Sequence, residues 1–162
     1  MSVLKSELIR MLREQFQLDW RGIHGAPHWA RVRRNGLHLA RENSARADVV
    51  ECFALLHDSQ RLHDGADRRH GARAADYVCR INEEYLHLDR SGVEMLVYAC
   101  EFHSDGLMDA DVTIQTCWDA DRLDLGRIGI RPDPNRLCTA AARDIGFLEV
   151  AYRRSAALRR QR

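Results

Sequence analysis

The chain has 162 residues, which is enough for one compact domain with an ordinary hydrophobic core. Its formal net charge of +1 argues against a dedicated nucleic-acid-binding protein, so we expect no stable nucleic-acid partner. No apolar run is long enough to span a bilayer, and the amino-terminal stretch is charged throughout. We therefore expect a cytoplasmic protein with neither a signal peptide nor a membrane partner.

Hydrophobic periodicity predicts an all-α chain, because no stretch alternates like a β-strand. We expect a single-domain bundle of about six to seven helices over 1–162, with an amino-terminal helix inside 1–18 and a carboxy-terminal helix inside 136–162. The predicted helices cover 2–16, 27–43, 47–56, 70–82, 91–103, about 114–125 and 139–158. Polar or Gly- and Pro-containing segments predict loops at 59–69, 104–111 and 129–135.

Local signals support three of these helices. Pro27 suits the first position of a helix, where its missing N–H costs nothing. Ser91-Gly92-Val93-Glu94 has the form of a capping box. The stretch 47–56 is apolar nearly all round, which predicts a central, buried helix.

The five cysteines form no C-x-x-C pair and fall about one per predicted helix, among apolar neighbours. They are Cys52, Cys79, Cys100, Cys117 and Cys138. This pattern predicts buried free thiols in a reducing compartment.

The pair His57-Asp58 stands at the end of the most apolar predicted helix. A buried carboxylate and a buried imidazole are costly unless a partner compensates them. A divalent metal ion would neutralise the carboxylate and accept the imidazole lone pair. The alternative is a hydrogen-bonded His–Asp pair at a helix end.

Further ligand-type residues lie where predicted helices meet loops. His28 and His70 stand at helix starts, and His103 stands at a helix end. Asp119 and Asp121 fall inside an amphipathic helix, although Asp is a poor residue in the middle of a helix. Such a mixed nitrogen and oxygen set suits Mn, Fe, Co, Ni or Zn better than Mg alone.

Three segments together resemble the H…HD…D signature of the HD-domain superfamily. They are His28-Trp29-Ala30-Arg31-Val32, Leu56-His57-Asp58 and Asp119-Ala120-Asp121-Arg122-Leu123-Asp124. The resemblance extends over about 22–131. It implies an all-α bundle and a metal-dependent phosphohydrolase activity, which in similar members often acts on nucleotides.

The resemblance implies that His28, His57, Asp58 and Asp121 bind the metal. Asp121 is preferred because the family aspartate usually follows Ala and precedes a pair of bulky residues, as in Ala120-Asp121-Arg122-Leu123. Asp119 then supports the ligands from behind or serves as an alternative ligand.

His70 and His103 have looser counterparts, which hold a second metal in some members and contact phosphate in others. We expect one metal ion, because His70 follows the HD pair so closely that it is poorly placed for a second ion. Asp58, His70, His103 and Asp67 are the expected catalytic residues.

One position departs from the family pattern. Some nucleotide-cleaving members have an acidic residue at the third position after the HD aspartate, where this chain has Arg61. The group that transfers a proton in catalysis is therefore open, and Asp64 and Asp67 are candidates.

The expected function is hydrolysis of a phosphoester or phosphoanhydride bond in a nucleotide or another small phosphorylated substrate. A divalent ion (Mn, Co, Fe, Ni, Zn or Mg) lowers the pKa of a bound water, and the resulting hydroxide attacks phosphorus. Lys5 is the only lysine, so arginines are the expected residues to stabilise negative charge on the substrate. The candidates are Arg31, Arg61 and Arg122.

Two alternatives remain. If His70 and His103 complete a six-ligand set, the resemblance also allows a di-iron oxygenase that acts on a small alcohol or phosphonate. The second alternative is a non-catalytic interaction module with or without a metal. The oligomeric state is open.

Overall fold

The computed structural model describes residues 3–157, which form α-helices and shorter helical turns without any β-strand. The α-helices are α1 Val3–Gln15, α2 Ala26–Asn43, α3 Ala47–Leu56, α4 His70–Ile81, α5 Arg90–Phe102, α6 Val112–Arg122, α7 Ala140–Arg143 and α8 Ile145–Ala156. A π-helical turn Asn82–Leu86 and 3₁₀ turns Leu125–Ile128 and Pro134–Arg136 lie between them. The predicted all-α class is confirmed. Predicted helix ends at 2 and 158 lie outside the described residues.

The centre of the bundle is α3, as its apolar sequence predicts. Phe53, Ala54 and Leu56 are fully buried, and α2, α5 and α6 pack around them. Gly36 allows α2 to approach its neighbours closely, because a Cβ there would lie 2.5 Å from the Val50 side chain. This packing holds the ends of α2, α3 and α6 in one region.

The helices α4 and α5 also pack closely, and Gly71 is the reason. A Cβ at Gly71 would lie 2.6 Å from the backbone oxygen of Cys100, a distance that real Cβ contacts do not reach. The start of α4 therefore lies directly against the end of α5, which brings His70 beside His103.

A second apolar cluster attaches the carboxy-terminal helices to the bundle. It consists of Leu39, Leu123, Leu137, Ala142, Leu148 and Ala151. The predicted single helix 139–158 is wrong in one respect, because it breaks at Asp144 into α7 and α8. The Asp144 side chain accepts a hydrogen bond from Phe147 N–H and caps α8.

Two further predictions need correction. The helix α5 is capped by Asp89, which accepts a hydrogen bond from Gly92 N–H, so Ser91 lies inside the helix and not at its cap. Cys100 and Cys117 are buried free thiols, but Cys79 is exposed, because it lies on the solvent face of α4. Within residues 3–157, no helix combines the length and the hydropathy needed to cross a bilayer.

Candidate metal centre

Six ligand-type side chains converge where five helices begin or end. His28 lies in the first turn of α2 and His57 at the end of α3, with Asp58 next to it. The others are His70 at the start of α4, His103 at the end of α5 and Asp121 at the end of α6. The four histidines and Asp58 are buried.

The ligand atoms fall into two groups that share Asp58. His28, His57 and Asp58 form the first, and Asp58, His70 and His103 form the second; within each group the ligand atoms lie within 4.8 Å of one another. Asp121 adds to the first group, because its Oδ1 lies 3.4 Å from His28 Nε2 and 3.8 Å from His57 Nε2.

Asp58 offers one oxygen to each group. Its Oδ2 lies 3.5 Å from His28 Nε2 and 3.7 Å from His57 Nε2. Its Oδ1 lies 3.2 Å from His70 Nε2 and 3.6 Å from His103 Nε2. This is the arrangement of a carboxylate that can bridge two cations.

Each of the four imidazoles has its Nδ1 against an oxygen that can only accept a hydrogen bond. The partners are Asp124 Oδ2 for His28, Phe53 O for His57, Asp67 O for His70 and Cys100 O for His103. We therefore assign the proton of each neutral ring to Nδ1, which leaves a lone pair on Nε2. Metal-binding histidines in proteins are oriented in the same way.

The Nε2 atoms then face one another in pairs at hydrogen-bond distance. His28 Nε2 lies 3.0 Å from His57 Nε2, and His70 Nε2 lies 2.8 Å from His103 Nε2. Two lone pairs at these distances repel unless a proton or a cation lies between them. Each pair therefore requires positive charge at the point where a metal would bind.

The pKa values of His28 and His57 show that a proton can supply the positive charge between their Nε2 atoms. Burial and Arg127 lower the pKa of His28, but Asp121, Asp124 and Asp58 outweigh them and raise it to about 9. Burial lowers the pKa of His57 to about 3. Without a cation, His28 therefore holds the proton and donates it to His57.

Asp121 provides an independent sign that a cation fits. Its Oδ1 is buried and has no hydrogen-bond partner among the described residues. Burial opposes ionisation, but His28 and His57 outweigh it and lower the pKa of Asp121 below its ordinary value. A buried, ionised oxygen that makes no hydrogen bond and lies 3.4 Å from His28 Nε2 suits a metal ligand.

The side chain of Arg31 contacts Asp124, which is itself the partner of His28. It donates two hydrogen bonds to Asp124, from Nε at 2.6 Å and from Nη2 at 3.0 Å. Asp124 in turn accepts from His28 Nδ1 at 2.7 Å. Arg31 therefore orients His28 through Asp124, and its predicted contact with substrate stays a prediction.

Asp67 is also held in structural contacts. Its Oδ2 accepts hydrogen bonds from Leu62 N–H at 2.9 Å and from Arg73. These bonds shape the loop that carries Asp58 to His70, and Asp67 does not line the cavity described below. These contacts give Asp67 a role in loop geometry, and its predicted catalytic role stays a prediction.

Asp119 connects α6 to the segment before α7 through hydrogen bonds. It accepts hydrogen bonds from Cys138 N–H at 2.7 Å and from Thr139 N–H and Oγ1, both at 2.8 Å. All its oxygens are thus used away from the ligand cluster. The predicted preference for Asp121 over Asp119 agrees with this geometry.

A cavity of about 900 Å³ opens from Asp58, His103 and Asp121 towards the segment 125–137. Arginine is its commonest charged residue, with Arg61, Arg122, Arg127, Arg131 and Arg136 in its wall. Arg61 donates to Asp58 Oδ1 at 2.8 Å, and Arg122 donates to the carbonyls of Leu107 and Arg136.

Sequence reasoning missed three residues here: Asp124, Arg127 and His24. Asp124 falls inside the quoted Asp119–Asp124 segment, so an acidic residue three positions after Asp121 was an available signal. His24 precedes His28 by four residues. Gly25 and Pro27 lie between them, so the sequence does not place the two histidines on one face of a helix. Only the tertiary structure brings His24 into the cavity wall.

The expectation of a single metal rested on poor placement of His70, and the geometry differs. Within the loop 59–69, Leu62 N–H donates a hydrogen bond to Asp67 Oδ2 at 2.9 Å, and Gly71 lets α4 begin against α5. His70 Nε2 consequently lies 3.2 Å from Asp58 Oδ1. Despite its short sequence separation from Asp58, His70 therefore lies with Asp58 and His103 in a group that could hold a metal ion.

No protein-family model matches the chain, and no curated protein matches its sequence. Among solved structures it is similar to the crystal structure of a predicted HD superfamily hydrolase from an uncultured Thermotogales bacterium. The TM-score is 0.70 at 24% sequence identity, and the match covers 96% of this chain and 89% of that one. The chain therefore shares the all-helical fold of that structure, as the signature implied.

Proposed function

We propose that this protein is a metal-dependent phosphohydrolase in which two groups of side chains that share Asp58 would hold two divalent ions. One observation carries the proposal: two pairs of facing Nε2 atoms, each beside a different oxygen of the same carboxylate. His28, His57 and Asp121 would complete one site, and His70 and His103 the other. The similarity to a predicted HD superfamily hydrolase supports hydrolysis at the general level.

Two such ions, when bound, would supply a water nucleophile at neutral pH and neutralise charge on a phosphoryl group. The protein residues do the rest. Asp124 and the carbonyls of Phe53, Asp67 and Cys100 fix the four imidazoles so that their lone pairs converge. The buried position of Asp58 keeps bulk water from weakening these interactions.

The charge of the cavity supports an anionic substrate. Once Asp58 and Asp121 are assigned to metal, the remaining wall carries the five arginines against Asp105 and Asp133. Arginine suits the recognition of phosphate oxygens. A small phosphorylated compound, a nucleotide among the candidates, is the substrate class that we propose.

The di-iron oxygenase is the second candidate, and a specific observation favours it too. The six side chains that such a site needs form two groups that share Asp58, and Asp121 Oδ1 lies 3.4 Å from His28 Nε2 in the first. The choice between the two functions depends on the metal and on oxygen, since the same side chains can serve either chemistry.

The test is metal analysis of protein purified without chelator, followed by anaerobic assays. We expect release of phosphate or pyrophosphate from a panel of phosphate monoesters, diesters and nucleotides with Mn, Co, Mg or Zn. Asp58→Asn should abolish this release, whereas Asp76→Asn, which removes an exposed carboxylate of α4, should leave it unchanged.

Iron as the bound metal, with oxygen uptake and no phosphate release from any ester, would replace the proposal with the oxygenase. Wild-type protein that binds no divalent metal would favour the non-catalytic module.

A further inference from the structure

His24 lines the same cavity as the ligand cluster but lies outside the ligand set. It belongs to the loop before α2, is 7% exposed and lines the cavity together with Asp58 and Asp121. Its backbone carbonyl accepts a hydrogen bond from Trp29 Nε1 at 2.7 Å, which fixes the loop against the core. The loop that carries His24 is therefore fixed at the cavity wall.

The ring of His24 is oriented by a carboxylate from a distant loop. Its Nδ1 lies 2.8 Å from Asp64 Oδ1, which is 40 residues further along the chain. We assign the proton to Nδ1, because an ionised carboxylate only accepts. Nε2 then carries a lone pair, and it makes no hydrogen bond to any residue within 3–157.

The charges around His24 favour a neutral ring. Burial lowers its pKa, and Arg61 and Arg127 act in the same direction, whereas Asp58 and Asp64 oppose them. The result is a pKa below the ordinary value, so the ring is neutral at neutral pH and its Nε2 can accept a proton.

The other ionisable groups of the cavity are unsuited to this task. Asp58, Asp121 and His103 are committed to metal in the proposed function. The arginines are permanently protonated. Asp105 and Asp133 are carboxylates exposed to solvent, whereas His24 is buried. His24 is the buried base that remains in the wall.

We propose that His24 is the general base of the reaction and that Asp64 positions it, an inference that rests on the proposed function. His24 Nε2 takes a proton from the attacking water while the water oxygen forms its bond to phosphorus. The bond between phosphorus and the leaving oxygen breaks with its electron pair on that oxygen, which takes a proton from solvent. The imidazolium, stabilised by Asp64, then returns its proton to bulk water, which the half-exposed Asp64 side chain contacts.

The test is chemical rescue, with 4-nitrophenyl phosphate as the probe. His24→Gly should lower kcat by about 10²- to 10⁴-fold, the usual contribution of a general base, with little change in KM. Added imidazole should restore turnover in proportion to its unprotonated form, because the cavity is open to solvent. His63→Gly is the matched control, since His63 is an exposed histidine of the Asp64 loop that lies outside the cavity wall.

Two readouts separate this role from a structural one. Metal content should be the same in wild type, His24→Gly and His24→Gln. In metal-free protein, the ¹⁵N chemical shifts of His24 should indicate the Nδ1–H tautomer, and Asp64→Asn should mix the tautomers and lower kcat by less than His24→Gly.

Wild-type turnover in His24→Gly, or lost turnover that imidazole does not restore, would overturn the assignment while leaving the proposed function in place. Wild-type protein that hydrolyses no phosphate ester with any divalent metal would overturn both.

Discussion

Replacing Gly71 with alanine should remove one metal site by a change that touches no ligand. A Cβ at this position would lie 2.6 Å from Cys100 O and 2.7 Å from Glu101 O, where ordinary contact begins at 3.4 Å. The obstacle is backbone, so α4 must move away from α5 by about 0.8 Å. His70 is the neighbouring residue and should move with it.

The size of this effect can be estimated. Metal–ligand distances tolerate only about 0.2 Å, so a displacement of this size should empty the site that His70 and His103 form. Overpacking costs about 1–3 kcal/mol in the free energy of unfolding. The better helix propensity of alanine offsets about 1 kcal/mol of this loss.

Metal content by mass spectrometry and thermal unfolding check both parts of this prediction. Gly146→Ala is the control, because a Cβ there would meet only the Asp144 side chain, at 3.3 Å. The reasoning is refuted if Gly71→Ala keeps the metal content and the stability of wild type.

Other predictions concern the carboxylates and the proton that a metal displaces. Asp121→Asn should lose metal and activity, as measured by metal analysis and turnover. Asp119→Asn should keep its metal but lose about 1–3 kcal/mol of stability in denaturant unfolding, because buried donors of the segment before α7 become unpaired. Asp124→Asn should weaken metal binding about 10- to 100-fold by competitive titration, because His28 loses its charged partner. The pKa of His28 is raised to about 9, so the ring is protonated at pH 7 and a metal must displace that proton. The affinity for metal should therefore rise by about tenfold per pH unit up to pH 9. Calorimetry in two buffers should detect the released proton.

Much of the fold was available from local patterns. The stretch 47–56 is apolar all round, and the structure makes it the buried centre of the bundle. The helix ends near 43, 56, 81 and 102 also followed from periodicity. The break at Asp144 was missed, because the residues on both sides continue a helical pattern and only the capping hydrogen bond to Phe147 reveals a new start.

The candidate site was less accessible to sequence reasoning. The residue types of the six ligands could be identified, because His and Asp at helix ends carry a recognisable pattern. Their pairing depends on tertiary contacts, above all the close approach of α4 and α5 at Gly71. The orientation of His28 by Asp124 and of His24 by Asp64 joins residues 96 and 40 positions apart, which no local pattern encodes.

The most direct test of the central claim is the number of metal ions bound by wild type and by His103→Ala, purified under the same conditions without chelator. A carboxylate bridge between two groups of histidines predicts two equivalents in wild type and one in His103→Ala, with His28, His57 and Asp121 still holding the remaining ion. One equivalent in wild type, unchanged in His103→Ala, would contradict a bridged pair.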